Sequence, residues 1–101
     1  MYDRIEIARE FVDAIASDNI IKTIVFGSVA PGDDTSESDI DILIIIHSDN
    51  RQIESIIDKK VVDFILEKEE VISPHVMTEE HFNKTKDYSF LQTVMAEGVE
   101  I

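Results

Sequence analysis

The chain contains no cysteine, which excludes a disulfide framework, a thiolate metal site and a thiol nucleophile together. It is also poor in positive charge: 9 Lys and Arg stand against 22 Asp and Glu, for a formal net charge of -13. That surplus would repel a nucleic-acid backbone rather than hold it through counterion release, so a nucleic-acid partner is not expected. The charge suits a basic protein partner, or a small anionic ligand met locally by a divalent cation, and it keeps the chain soluble. The longest apolar run, Ile42 to Ile46, is far shorter than the roughly 20 residues that cross a bilayer. The opening MYDRIEIARE lacks the apolar stretch of a signal peptide. These absences predict a soluble, cytoplasmic protein with no membrane partner. With no internal repeat, low-complexity tract or linker, residues 1–101 are expected to form one domain. At 44% hydrophobic and 31% charged residues, such a chain can bury a core without staples and is not of the disordered class.

Periodicity supplies the elements. Residues 3–17 place Ile5, Ala8, Val12 and Ile15 on one helical stripe, with Asp3 available as a cap. KTIVF, residues 22–26, reads as a strand ending at Gly27, and residues 29–38 read as a loop. From Asp39 the run DIDILIII is a strand, and because both faces are apolar after Asp41 it should be central and covered by helices. Ser48-Asp49-Asn50 then offers cap chemistry for a helix to about residue 68, carrying Ile53, Ile56, Ile57, Val61, Phe64 and Ile65 at helical spacing. VISPHVM, residues 71–77, is a strand that Pro74 assigns to an edge or a bulge. Thr78 caps a further helix, residues 87–97 continue helically, and Gly98 stands where a C-terminal cap belongs. The order predicts an α/β fold with a small sheet of three or four strands flanked by helices.

The chemistry concentrates in FGSVAPGDDTSESDIDILIII, residues 26–46. Strand side chains alternate, so Asp39 and Asp41 point the same way, roughly 7 Å apart along the backbone. Two carboxylates at that spacing can converge on one hard cation, and Mg²⁺ is commonly held by one or two carboxylates together with nucleotide phosphates. Without a cation the pair repels itself, and the bland reading is a solvated strand entrance. Gly27-Ser28 closes the preceding strand. A glycine lets a phosphate approach the backbone, and a serine adds a hydroxyl and an amide as donors.

Gly-Ser, ten residues from Val29 to Ser38, and then Asp-x-Asp at 39–41 resembles the motif of the DNA polymerase β-like nucleotidyltransferase superfamily. The length, the ISPHV strand, the TEEHF cap and the EGV segment resemble its minimal branch, which includes the antitoxins of HEPN/MNT toxin-antitoxin pairs. The resemblance implies a nucleotidyltransferase, polymerase β palm-like fold. It implies that Gly27 and Ser28 hold a nucleotide triphosphate and that Asp39 and Asp41 are the catalytic ligands of Mg²⁺ or Mn²⁺. The implied reaction moves AMP from ATP onto a hydroxyl of a HEPN-type toxin, with pyrophosphate leaving. A contact-only antitoxin of the same fold is the alternative.

The match departs at two places. Many members carry a basic residue where this chain has Pro31, and the superfamily uses a third carboxylate on a later strand. In VISPHVM the inward candidates are Ser73 and His75. Asp63 could serve only if Val61 to Leu66 were a strand, whereas the apolar spacing from Ile53 onward favours a helix with Asp63 solvated. His47, His75 and His81 show no zinc spacing. Phe82, Tyr88, Phe90 and Leu91 are expected in the core, or in part at a partner interface. A sheet edge or helix face could also pair with a second copy.

Overall fold

The strand Ile40–Ile46, unbroken in branched apolar side chains from Ile42 onward, lies inside the sheet, as its two apolar faces require. The computed structural model describes residues 4–30, 32 and 38–101, apart from the side chain of Ser28. In chain order these form α1 (Arg4–Ala14), β1 (Ile20–Phe26), a 3-10 turn (Gly27–Val29), β2 (Ile40–Ile46), α2 (Arg51–Lys68), β3 (Ile72–Thr78), α3 (Glu79–Thr85), α4 (Ser89–Glu97) and β4 (Val99–Glu100). The sheet runs β3-β2-β1-β4. β1 is antiparallel to β2 and β4, while β2 and β3 are parallel and joined by the α2 crossover, the connection a parallel pair needs. The fold is therefore α/β, a mixed four-stranded sheet flanked by helices.

Alternation along β2 divides the core. Ile40, Ile42, Ile44 and Ile46 pack with Ile7, Ala8 and Phe11 of α1 and Ile53, Ile57 and Phe64 of α2. Leu43 and Ile45 turn to the other face and meet Ile24, Leu91, Val94 and Phe82. Burial of this many side chains, at about 1.5–3 kcal/mol for each large aliphatic one, is the main stabilising term. Phe64 also meets Phe11 edge to face, with centroids 5.4 Å apart.

The caps are local and specific. Asn50 accepts from the N–H groups of Gln52 (2.9 Å) and Ile53 (3.3 Å), starting α2. Thr78 accepts from His81 N–H (3.1 Å), starting α3. Glu69 ends α2 in the left-handed region at φ 55°, its N–H donating to the Ile65 carbonyl (3.1 Å) and the Glu70 N–H to the Phe64 carbonyl (3.4 Å). Pro74 lies in β3, an edge strand.

Four expectations change. The buried stripe of α1 is Ile7, Ala8 and Phe11, continued by Ile15 beyond the helix, with Ile5 and Val12 only partly buried at its margin. The C-terminal helical region breaks after Thr85 and restarts at Ser89. Gly98 caps α4 as expected, its N–H bonded to the Val94 carbonyl, but its backbone is extended (φ -75°, ψ 164°) and leads into β4, an unexpected strand. Leu91 is buried and Phe82 partly so, whereas Tyr88 and Phe90 are exposed. The Asp3 cap lies outside the described residues. Among the described residues no helix is long and apolar enough to cross a membrane.

Candidate functional site

Asp41 is the second residue of β2, and alternation turns it to the same side as Leu43 and Ile45, toward α3 and α4. Its antiparallel neighbour is Phe26, the last residue of β1, and its parallel neighbour is Ser73 of β3. Immediately after Phe26 the chain turns at Gly27, whose φ of +74° suits a residue without Cβ. A Cβ placed there would lie 2.5 Å from Asp41 Oδ2. The turn and the carboxylate thus occupy one place. Asp39, just before β2, is exposed, and Asp41 is half-buried.

The approach to Asp39 is anchored by Arg4, which is 9% exposed. Its guanidinium donates to the Ser38 carbonyl oxygen and pairs with Glu70 Oε2 at 2.9 Å. Ile40 N–H donates to the Val71 carbonyl at 2.9 Å. One buried cation therefore ties α1 to the entries of both β2 and β3.

His75 is level with Leu43 in the parallel register, and its ring leans back so that Nε2 lies 3.5 Å from Asp41 Oδ1. That distance is too long for a charge-assisted hydrogen bond. Nε2 is shielded from water without a hydrogen-bond partner, although much of the ring is open. The His75 ring meets Phe26 at 5.0 Å, and Phe26 meets Phe90 edge to face at 5.6 Å. Beside them a cavity of about 290 Å³ opens between the end of β1, with Gly27, and α4.

The carboxylate chemistry of the two aspartates would suit a hard divalent cation. Asp39 and Asp41 offer carboxylate oxygens, Gly27 leaves the Asp41 carboxylate room, and Mg²⁺ or Mn²⁺ would complete its shell with water and phosphate oxygens. Asp63 does not join them: it lies in α2, 3.6 Å from Lys60. Among the described residues no group of three or more His, Cys, Asp or Glu is arranged to hold a metal. The Ser28 side chain and Pro31 lie outside the described residues.

A family model of the nucleotidyltransferase domain matches residues 5–96. The chain belongs to the nucleotidyltransferase domain family. Two Methanocaldococcus jannaschii proteins provisionally named protein adenylyltransferases resemble this nucleotidyltransferase. MJ0604 is 42% identical over 93 residues, covering 89% of each chain, and MJ0141 is 31% identical over 105 residues, covering 96% of this chain and 97% of its own. A crystal structure of a provisionally named nucleotidyltransferase from Sulfolobus solfataricus shares the fold, with TM-score 0.60 over 99% of this chain and 86% of that one at 21% identity.

Of the residues expected at the site, the structure brings Gly27 and Asp41 together and leaves Asp39 exposed at the entry to β2. The sequence marks Phe26 only as the end of a strand, and does not single out Thr93 and Glu97. A signal was present in the spacing: Ser89, Thr93 and Glu97 recur every four residues on one side of α4 while Leu91 and Val94 are buried on another.

Proposed function

We propose that this nucleotidyltransferase transfers AMP from ATP to a hydroxyl of a partner protein, acting as the antitoxin of a HEPN-type toxin. The observation that carries the reading is the contact between Gly27 and the Asp41 carboxylate. In this reading it puts the turn that would admit the phosphates beside an oxygen that would bind the metal. The names of the two Methanocaldococcus relatives support protein as the acceptor, and the strongly acidic composition suits a basic partner surface.

In this reading the Gly27-Ser28 turn receives the triphosphate, and Asp39 and Asp41 hold Mg²⁺ or Mn²⁺. The bound cation would neutralise charge on the phosphates and on the departing pyrophosphate. The acceptor oxygen bonds to the α-phosphorus, the bond to the bridging oxygen of pyrophosphate breaks, and the hydroxyl proton passes to water at the open site. The chain's own part is to position: Gly27 admits the phosphates, and Arg4 fixes the backbone from which Asp39 projects.

The test is transfer of label from α-labelled ATP, with Mg²⁺ or Mn²⁺, into proteins co-purified from the native host. A labelled partner with wild type, absent with Asp41→Asn at unchanged stability, is the expected result. A second reading, neutralisation by contact, is favoured by Ser73 standing level with Asp41 where an acid would complete the set. No transfer, with partner capture undiminished in Asp39→Asn and Asp41→Asn, would replace the first reading by the second.

A further inference from the structure

We propose that His75 Nε2 is a ligand of the cation that Asp41 binds, and that it turns the site from Mg²⁺ toward a first-row transition ion such as Mn²⁺. The proposal rests on the reading of Asp41 as a metal ligand, and deepens it.

The nitrogen lacks a partner within the chain. Nε2 is shielded from water and makes no hydrogen bond, a state that is costly unless something outside the chain satisfies the atom. Asp41 Oδ1, at 3.5 Å, is farther away than a charge-assisted hydrogen bond allows. The distance is close to that between two ligands of one ion. Donors about 2.1 Å from a cation and roughly 90–110° apart around it lie about 3.0–3.4 Å from each other. The Asp41 carboxylate is divided accordingly: Oδ2 faces the turn at Gly27, and Oδ1 faces the imidazole.

The ring is held in this place by its neighbours. Ser73 of β3 is level with Asp41, and His75 follows two residues later on the same side of the sheet. Its ring packs against Phe26 at 5.0 Å and Phe90 at 6.4 Å. The side chains of His75 and Asp41 are still 41% and 30% exposed, which leaves an approach for an ion carrying part of its water. Among the described residues no cluster of three such ligands exists, so water and phosphate oxygens fill the positions that the pair leaves open. Ligand chemistry then sets the preference. Mg²⁺ takes oxygen ligands, whereas an imidazole nitrogen suits first-row transition ions. Carboxylates alone serve Mg²⁺ and Mn²⁺ alike, and a nitrogen beside them does not.

The test is pulsed EPR of Mn²⁺ bound to the full chain, with protein in excess and a nitrogen-free buffer. Wild type should show a directly bound nitrogen that is lost in His75→Gln. The chain has 3 histidines, and the other two, His47 and His81, are exposed. Retention of the signal in His47→Gln and in His81→Gln therefore assigns it to His75 by elimination, without relying on the fold of the His75 variant. Displacement by Mg²⁺ reads the preference. The ratio of Mn²⁺ to Mg²⁺ affinity should fall at least about tenfold in His75→Gln, the lower end of what losing even an outer partner of a metal ligand costs. A wild-type spectrum without bound nitrogen, where Asp41→Asn still abolishes Mn²⁺ binding, overturns the proposal and leaves Asp41 as a ligand. A nitrogen signal lost in the His47 or His81 variant, or an unchanged affinity ratio in His75→Gln, overturns it as well. Mn²⁺ binding that is absent, or indifferent to Asp41→Asn, removes the underlying reading together with the proposal.

Discussion

The carboxylate of Asp41 occupies the space in which a side chain on Gly27 would begin. Oδ2 lies 2.5 Å from the position a Cβ would take, and the backbone at Gly27 is left-handed at φ +74°. Gly27→Ala therefore combines strain of about 1–3 kcal/mol with displacement of the carboxylate. We expect lower stability in urea denaturation and weaker Mn²⁺ binding. Asp41→Ala removes the clashing oxygen, so Gly27→Ala should cost less in that background. Equal cost in both backgrounds would show that the two residues are not coupled.

Arg4 and Glu70 form the buried ion pair of the fold, with side chains 9% and 14% exposed. Truncating Glu70 takes one charge-assisted hydrogen bond from a guanidinium that keeps its bond to the Ser38 carbonyl, at about 1.5–3 kcal/mol. Glu70→Ala should lose stability on that scale, and Mn²⁺ affinity should fall with it because Arg4 also holds the Ser38 carbonyl beside Asp39. Arg4→Lys retains the charge but not the fork, and should recover only part of both. Chemical denaturation and metal titration of the same variants separate the two effects.

Glu69 adopts φ 55° at the end of α2, a conformation that costs a residue with Cβ about 1–2 kcal/mol. Glycine avoids that cost but has more freedom in the unfolded chain. Glu69→Gly should raise the stability by roughly 0.5–1 kcal/mol, read as a higher urea midpoint at unchanged slope. A lower midpoint would count against the cap.

Glu80 and Lys84 form an exposed pair at 2.9 Å. The hydrogen bond from Lys84, then its charge, holds the Glu80 carboxyl below its ordinary value of 4.5, and the same pair raises Lys84. The Glu80 contribution is therefore present above pH 4.5 and fades as the pH falls through its lowered folded value. Lys84→Ala should move the Glu80 midpoint upward in an NMR titration. An unmoved midpoint would mean the pair does not persist in solution.

Much of this architecture is legible in the sequence because local rules and burial agree. β2 is apolar on both faces and lies inside the sheet, and Asn50 and Thr78 cap the helices they precede. The stripe of α1 is harder to read, since Ile5, Ile7, Ala8, Phe11, Val12 and Ile15 surround much of its turn. Contact with β2 selects Ile7, Ala8 and Phe11. β4 is too short to show a period. Gly98 precedes it because a Cβ would meet the Val94 carbonyl at 2.5 Å and Ile24 Cγ2 at 2.6 Å. At the site, Gly27 and Asp41 are legible from spacing, but the lean of His75 toward Asp41 follows from parallel register between strands that the α2 crossover separates.

That late pairing also bears on how the molecule assembles. Thr23 and Ile101 exchange hydrogen bonds across 78 positions of sequence, with Thr23 Oγ1 donating to the Ile101 carbonyl at 2.6 Å and Ile101 N–H to the Thr23 carbonyl at 3.0 Å. During synthesis β1 waits, half-edged, until nearly all the other described elements have been made. The β1–β2 antiparallel pair has the shorter loop to close, so we expect it to form before β4 adds. A lesion at Gly98 or in β4 should therefore quicken unfolding and leave the folding rate nearly unchanged.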